Sequence, residues 1–351
     1  MKSNSNLFVF RSANFGISFS VNKHSLLILL ILLIITFLAM VMNIAYGEYP
    51  IDILSVIQTL LRIDTTNPDY NFVIYNLRLP RMLTACFVGI SLAISGAIMQ
   101  GITRNPLADT SIIGINAGAS LAAVIVIVLF PTLPAGSLTL IAFVGALTTA
   151  LLIYLLAFEH GTNPIRLILI GVGISAAIKA ATNILITFGN IHDVSKALVW
   201  LTGSVHGRTW DQVVYLLPWL ILFIPLALIN SSQLNILSLG DEISKSLGMK
   251  LEWQRSLLIL ISSALAGAAV ATAGDIGFVG LISPHIARQL IKANYHELLP
   301  ISAIIGVILV LISDFSGRVL FSPLEIPCGV ITAILGTPYF IFLLIKNRHH
   351  K

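Results

Sequence analysis

The chain has 351 residues, 57% of them hydrophobic and only 10% charged, whereas an ordinary soluble domain carries about 25% charged residues to keep its surface wet. This excludes a soluble enzyme, and the apolar excess equally excludes a disordered chain. The formal charge of +5 would suggest a nucleic-acid partner in a soluble protein; in a polytopic membrane protein it reads as the Lys and Arg excess of cytoplasmic loops, with no nucleic acid involved.

Residues 1–24 form an N-terminal tail carrying Lys2, Arg11 and Lys23. The apolar run from Leu26 to Ala45 that follows exceeds the core of a signal peptide, about 7–15 residues, and no clear small-residue cleavage pattern follows it, so it is expected to stay as a membrane helix. Further stretches close to the length that crosses a bilayer lie at 82–102, 111–130, 137–158, 165–187, 213–230, 256–273, 275–292, 298–316 and 328–345. With the run at 25–45 they make ten, although Gly277, Gly280, Pro284 and Asp314 interrupt the eighth and ninth. The predicted fold is therefore an all-α integral membrane protein: one ten-helix domain over 25–346 and a second tail at 347–351. Thirteen of the twenty Lys and Arg then fall inside, six fall outside and Lys179 lies within a span, which puts both termini in the cytoplasm. Cys86 and Cys328, in or beside apolar runs, read as small buried hydrophobes.

Three segments between spans are long enough to have structure of their own. The outer ones are Tyr46 to Asn76 and Gly189 to Gln212, the latter with Trp200 and Trp210 as expected interfacial anchors. The inner one, residues 231–255, mixes Leu234, Leu237, Leu239, Ile243, Leu247 and Met249 with Asp241, Glu242, Lys245 and Lys250. That pattern predicts short amphipathic helices at a watery face, and an apolar stripe there needs a partner.

Residues 78–118 hold the densest motif. Gly89, Ser91, Ala93, Ser95, Gly96 and Ala97 allow close helix approach, and the turn from Asn105-Pro106 to Asp109 ends a helix at the inner face. Arg81, Ser95-Gly96-Ala97 and Gly101 to Ala108 are echoed by Arg255, Ala266-Gly267-Ala268 and Gly280 to Ala287, running in opposite directions through the membrane. Two inverted five-helix halves would explain this, as in transport folds. The cluster Gly240-Asp-Glu-Ile-Ser-Lys245-Ser246 lacks the glycine before lysine that a phosphate loop needs, so ATP is handled elsewhere. The eight histidines show no metal-ligand spacing.

RLPR (78–81), SGAIMQG (95–101), RNPLAD (104–109), GINAGA (114–119), LNILSLGDEISKSLGM (234–249), GDIGFVGLISPHIARQL (274–290), SDFSGR (313–318) and LEIPCGVITAILGTPYFIFLL (324–344) together resemble the FecCD family. Its members are permease subunits of ATP-binding cassette importers for iron-siderophores, haem and cobalamin. The resemblance runs from about residue 25 onward in motif order. It implies the BtuC-like, type II importer fold in the bacterial cytoplasmic membrane, and a second FecCD-type permease, identical or related, that shares the translocation path. It also implies ABC ATPase subunits holding ATP and Mg, and an extracytoplasmic siderophore-binding protein; besides membrane lipid, this chain itself would bind no cofactor.

By the same resemblance, Leu237, Leu239, Gly240, Ser246, Leu247 and Gly248 would couple to the ATPase, and Arg78, Arg81 and Arg318 would receive acidic residues of the binding protein. Gly96, Gln100, Asn105, Pro106 and the intramembrane Lys179 are candidates to line the path, Lys179 because a charge at membrane depth is costly unless it has a use. A competing reading is a proton- or sodium-driven carrier with Lys179, Asp275 and Asp314 as its ion relay. The amphipathic inner segment argues against it, because such a carrier has no use for one.

Overall fold

In hydrocarbon every backbone N–H and C=O must be satisfied within its own segment, so apolar stretches become helices. A computed structural model describes residues 7–12, 17–47, 49–63, 69–159, 161, 163–291 and 294–348. Its helices are α1 (Lys23–Ala45), α2 (Ile53–Leu60), α3 (Asp69–Phe72), α4 (Leu79–Thr103), α5 (Ile115–Leu129), α6 (Ala135–Ala157), α7 (Pro164–Phe188) and α8 (Ile191–Leu201). They continue with α9 (Trp210–Ile229), α10 (Ser231–Leu237), α11 (Asp241–Ser246), α12 (Leu251–Ala273), α13 (Val279–Leu290), α14 (Tyr295–Val319) and α15 (Cys328–Arg348). A π-helical stretch, Val73–Arg78, joins α3 to α4 in one continuous rod. The departure from an all-helical chain is an antiparallel hairpin, β1 (Leu7–Ser12) with β2 (Ile17–Asn22), inside the expected N-terminal tail. It is tied to α14 where Asn22 N donates to Glu297 Oε1 at 3.1 Å.

All ten predicted stretches contain a helix, but among the described residues eight helices are long and apolar enough to cross a membrane. The exceptions are α5, with 15 residues, and α13, with 12. At 1.5 Å per residue these rise only ~22 and ~18 Å, short of the ~30 Å hydrocarbon core. Each follows a long helix, α4 or α12, through a turn that re-enters the bundle, so the sequence echo coincides with a repeated long–short pair. The long members run antiparallel: Ser95 Oγ meets Ser262 Oγ at 2.6 Å, while Arg104 after α4 and Arg255 in α12 share the carboxylate of Asp241.

The buried centre consists of α4, α12 and α14, and small residues make it dense. A Cβ on Gly96 would fall 1.9 Å from Gly280 O, and one on Gly89 would fall 2.6 Å from Gly306 O. Backbone contact at these crossings gives the dispersion that replaces the hydrophobic drive missing in lipid. Around this centre, α1, α6, α7, α9 and α15 turn large apolar side chains outward, among them Phe37, Leu151, Ile165, Ile221 and Ile334. Trp200 is buried, packed inside the bundle where interfacial anchoring was expected, whereas Trp210 is exposed and its Nε1 donates to Tyr75 O at 2.9 Å. The end carrying residues 231–250 is termed inner, and the end carrying residues 203–209 outer.

Candidate functional site

Three groups of residues at different depths carry the chemistry. At the outer end Arg81 lies near the start of α4 and reaches two carboxylates. Its Nη2 is 2.8 Å from Asp314 Oδ1, its Nε 3.0 Å from Asp314 Oδ2, and its Nη1 3.0 Å from Glu325 Oε2. His206 Nδ1 lies 3.2 Å from Arg81 Nη1 and also contacts Glu325. Burial pushes the Glu325 carboxyl up, but the His206 hydrogen bond and the Arg81 charge outweigh it and hold the group down at about 2. A depressed carboxyl stabilises the fold above its ordinary value and loses that contribution as pH falls toward 2, so Glu325 stays ionised through the physiological range.

Arg78 and Arg318 occupy the same cleft but are turned inward. Arg78 Nη1 donates to Ala45 O at 3.0 Å and its Nη2 to Tyr49 O, while Arg318 Nη2 donates to Asn43 O at 2.9 Å. They bond carbonyls at and just beyond the end of α1, and Arg78, Arg81 and Arg318 are all largely buried and bonded within the chain. What they form is the wall of an outer cleft of about 380 Å³, with His206 and Arg208 also lining it. His206 and Glu325 were not singled out from the sequence, although Glu325 lies in the stretch 324–344 that helps carry the family resemblance.

The five candidates for the path lie at mid-depth and at the inner turn. Gly96 is closed off by Gly280, and buried Gln100 donates from Nε2 to Leu281 O at 3.2 Å while its Oε1 accepts from Arg288. Both therefore hold α4 to α13, and neither faces an opening in this chain. Asn105 and Pro106 form the turn after α4, where Asn105 Oδ1 accepts from Leu107 N at 2.9 Å. Lys179 alone of the five lies on an exposed helix face, on α7, near enough for its charge to act on Asp275. Asp275 accepts from Asn116 Nδ2 at 2.5 Å and, with Phe278, Thr337 and Pro338, lines an open and largely apolar cavity of about 850 Å³. Asp314 is committed to Arg81 in the outer cluster, so an ion relay through Lys179, Asp275 and Asp314 is not assembled.

At the inner end α10 and α11 fold as predicted for an amphipathic segment. Ser244 Oγ, 2.6 Å from Gly240 O and 3.0 Å from Ile236 O, staples one short helix to the other. Leu234 and Leu237 are fully buried and seat the segment on the bundle, which corrects the expectation that Leu237 meets a partner. Leu239, Ile243 and Leu247 point away from the bundle, with Leu247 60% exposed. Ser246 is exposed with its Oγ bonded to Ile243 O at 2.8 Å, and Gly240 and Gly248 take positive φ, +112° and +79°. That backbone region favours glycine and lets the segment turn sharply on both sides of α11. The cysteines are buried and unpaired with each other, and among the described residues no group of three or more His, Cys, Asp and Glu could hold a metal.

The model of the FecCD transport family matches residues 28–346. The Fe(3+)-citrate import system permease protein YfmE of Bacillus subtilis is 42% identical over 323 residues, 92% of this chain and 96% of that protein. The achromobactin transport system permease protein CbrC of Dickeya dadantii is 40% identical over 332 residues, 94% of this chain and 93% of its own length. Among solved structures, an inward-facing metal-chelate type ABC transporter matches with TM-score 0.82 and 32% identity, over 91% of this chain and 99% of that one.

Proposed function

The chain belongs to the FecCD transport family, and we infer from this that it is the membrane-spanning permease subunit of an ATP-binding cassette importer moving an iron(III)-siderophore complex into the cytoplasm. The family match over nearly the whole chain carries this reading, and the Fe(3+)-citrate import named for a 42% identical relative favours an iron chelate over haem or cobalamin. ATP hydrolysis belongs to separate ATPase components. Uptake of a ferric chelate into vesicles holding the assembled importer should require ATP and persist when ionophores collapse the ion gradients. The converse result would support an ion-coupled carrier.

The finer architecture follows the same reading. Ten passes, with α5 and α13 completed by their re-entrant turns, put both termini in the cytoplasm, in keeping with the Lys and Arg bias. The exposed face of α7 and the open side of the cavity beside α15 suit a second permease subunit and a path between the two. Within that path Lys179 attracts an anionic chelate. Lys179→Met removes the charge at similar length, and uptake is expected to fall about fivefold with expression unchanged, on the scale of one coupled charge. Unchanged uptake kinetics would leave Lys179 as a lysine reaching for the interface.

The exposed face formed by Leu239, Ile243, Leu247 and Gly248 is the docking surface for the ATPase. Among the described residues, chain neighbours apart, nothing lies within 4 Å of a Cβ built on Gly248, so a bulky residue there would obstruct a partner rather than the fold, apart from the strain of its positive φ. Leu247→Asp and Gly248→Trp should each lower uptake by about tenfold or more, with normal insertion and less ATPase recovered on purification. Wild-type uptake and recovery in both would sink the assignment.

A further inference from the structure

Asp241 opens α11, and its carboxylate faces two arginines from the two central helices. Its Oδ1 accepts from Arg255 Nη2 at 2.8 Å and lies 3.2 Å from Arg104 Nη2. Arg104 is the residue that ends α4, in the left-handed conformation at φ +51°, and Arg255 lies in the first turns of α12. One carboxylate of the inner segment therefore grips the inner ends of both members of the antiparallel pair at the heart of the bundle.

The two arms of the grip differ in exposure. The Arg255 side chain is 1% exposed and cannot trade Asp241 for water, while Arg104 is about a third exposed. Gly240 leaves the approach open, since a Cβ there would lie 3.2 Å from Arg104 Nη1. Ser244, three residues further along α11, binds α11 to α10, and Leu247 caps α11 with its exposed apolar side chain. A push on Leu247 thus reaches Asp241 along the whole of the short helix α11, and charge-assisted hydrogen bonds carry it on to α4 and α12. The other short helix makes a weaker, neutral link: Asn235 Oδ1 accepts from Tyr295 N at the start of α14 at 2.9 Å.

We propose that Asp241 is the positioning residue that transmits movement of the docked inner segment to α4 and α12, so that both central helices shift together when the ATPase changes state. The proposal rests on the reading of the chain as an importer permease. It separates two roles within one segment: Leu239, Ile243 and Leu247 meet the ATPase, whereas Asp241 passes the displacement inward.

The test uses the complete importer, with its ATPase, partner permease and binding protein, reconstituted in liposomes. Chelate uptake and ATP hydrolysis are measured together. With Asp241→Asn the ATPase should co-purify and basal hydrolysis should continue, while chelate moved per ATP falls about tenfold and stimulation by loaded binding protein disappears. Asp241→Glu, which keeps the charge, should restore much of that ratio. Arg104→Gln removes only the half-exposed arm and should lower the ratio about fivefold, which keeps the test decisive if Asp241→Asn fails to insert. An unchanged ratio in Asp241→Asn or Arg104→Gln overturns the proposal, as does a proportional loss of uptake and hydrolysis, the mark of a merely structural residue. Failure of the permease reading itself would look different, because the unmodified importer would then show no ATP-dependent uptake.

Discussion

Arg81→Glu should sharply lower the thermal stability of the permease in detergent. Arg81 and Asp314 are only 12% and 4% exposed, and Glu325 stands beside them. The substitution would leave three carboxylates facing one another with His206 as the remaining basic contact. Breaking a buried pair from one side costs about 3–5 kcal/mol, enough to consume much of the stability of a typical domain. A fall in Tm well beyond that of Arg208→Glu on the same cleft is expected, and the paired change Arg81→Gln with Asp314→Asn should cost less than the sum of its single changes. Wild-type Tm in Arg81→Glu would show that the cluster is not load-sharing within the fold. The consequence for docking is practical: Arg208, which lines the cleft without an ion pair to Asp314 or Glu325, is the better residue for probing a partner's acidic side chain.

The second large effect is expected at Gly96. A Cβ there would meet Gly280 O at 1.9 Å; that oxygen is backbone and the Cβ position is itself fixed by the backbone, so no side-chain rotation can relieve the clash. Gly96→Ala should therefore separate α4 from α13 and cost at least the ~1–3 kcal/mol typical of overpacking, and Gly96→Leu should yield little folded protein. Gly173 lies on the exposed face of α7, and among the described residues nothing beyond its own helix backbone and chain neighbours lies within 4 Å of a Cβ built there. Gly173→Ala is expected to be neutral or to stabilise by up to ~1 kcal/mol through helix propensity. Recovery of monodisperse protein after purification and its Tm check the contrast, and equal behaviour of the two alanine variants would refute the packing argument.

The membrane class, the positions of the ten helical stretches and the amphipathic nature of residues 231–255 were legible in the sequence. Each depends on properties of neighbouring residues: the length of an apolar run, the Lys and Arg beside it, and the alternation of apolar and polar residues over one or two turns. The motif order from RLPR at 78–81 to LEIP at 324–327 was legible for the same reason and carried the family resemblance. An apolar run can predict that a helix forms around 275–292, but not that its regular part is only Val279–Leu290. The regular helix begins only after Phe278, whose backbone is held in the left-handed region at φ +68°.

Burial of charge was likewise beyond the reach of the sequence. Arg78, Arg81 and Arg318 read alike as outer arginines, yet Arg78 and Arg318 cap carbonyls near the end of α1, and Arg81 pairs with a carboxylate 233 positions away. Leu237 and Leu239 stand two residues apart in one amphipathic segment, and only the packing of α10 on the bundle decides which is buried. Asp241 carried no mark beyond its charge until the fold brought Arg104 and Arg255 to it from opposite directions in the chain. Hydropathy and local pattern settle what enters the membrane, because those energies sum over consecutive residues. Which polar group faces a partner, and which supports the fold, depends on contacts between distant segments that exist only once the helices have packed.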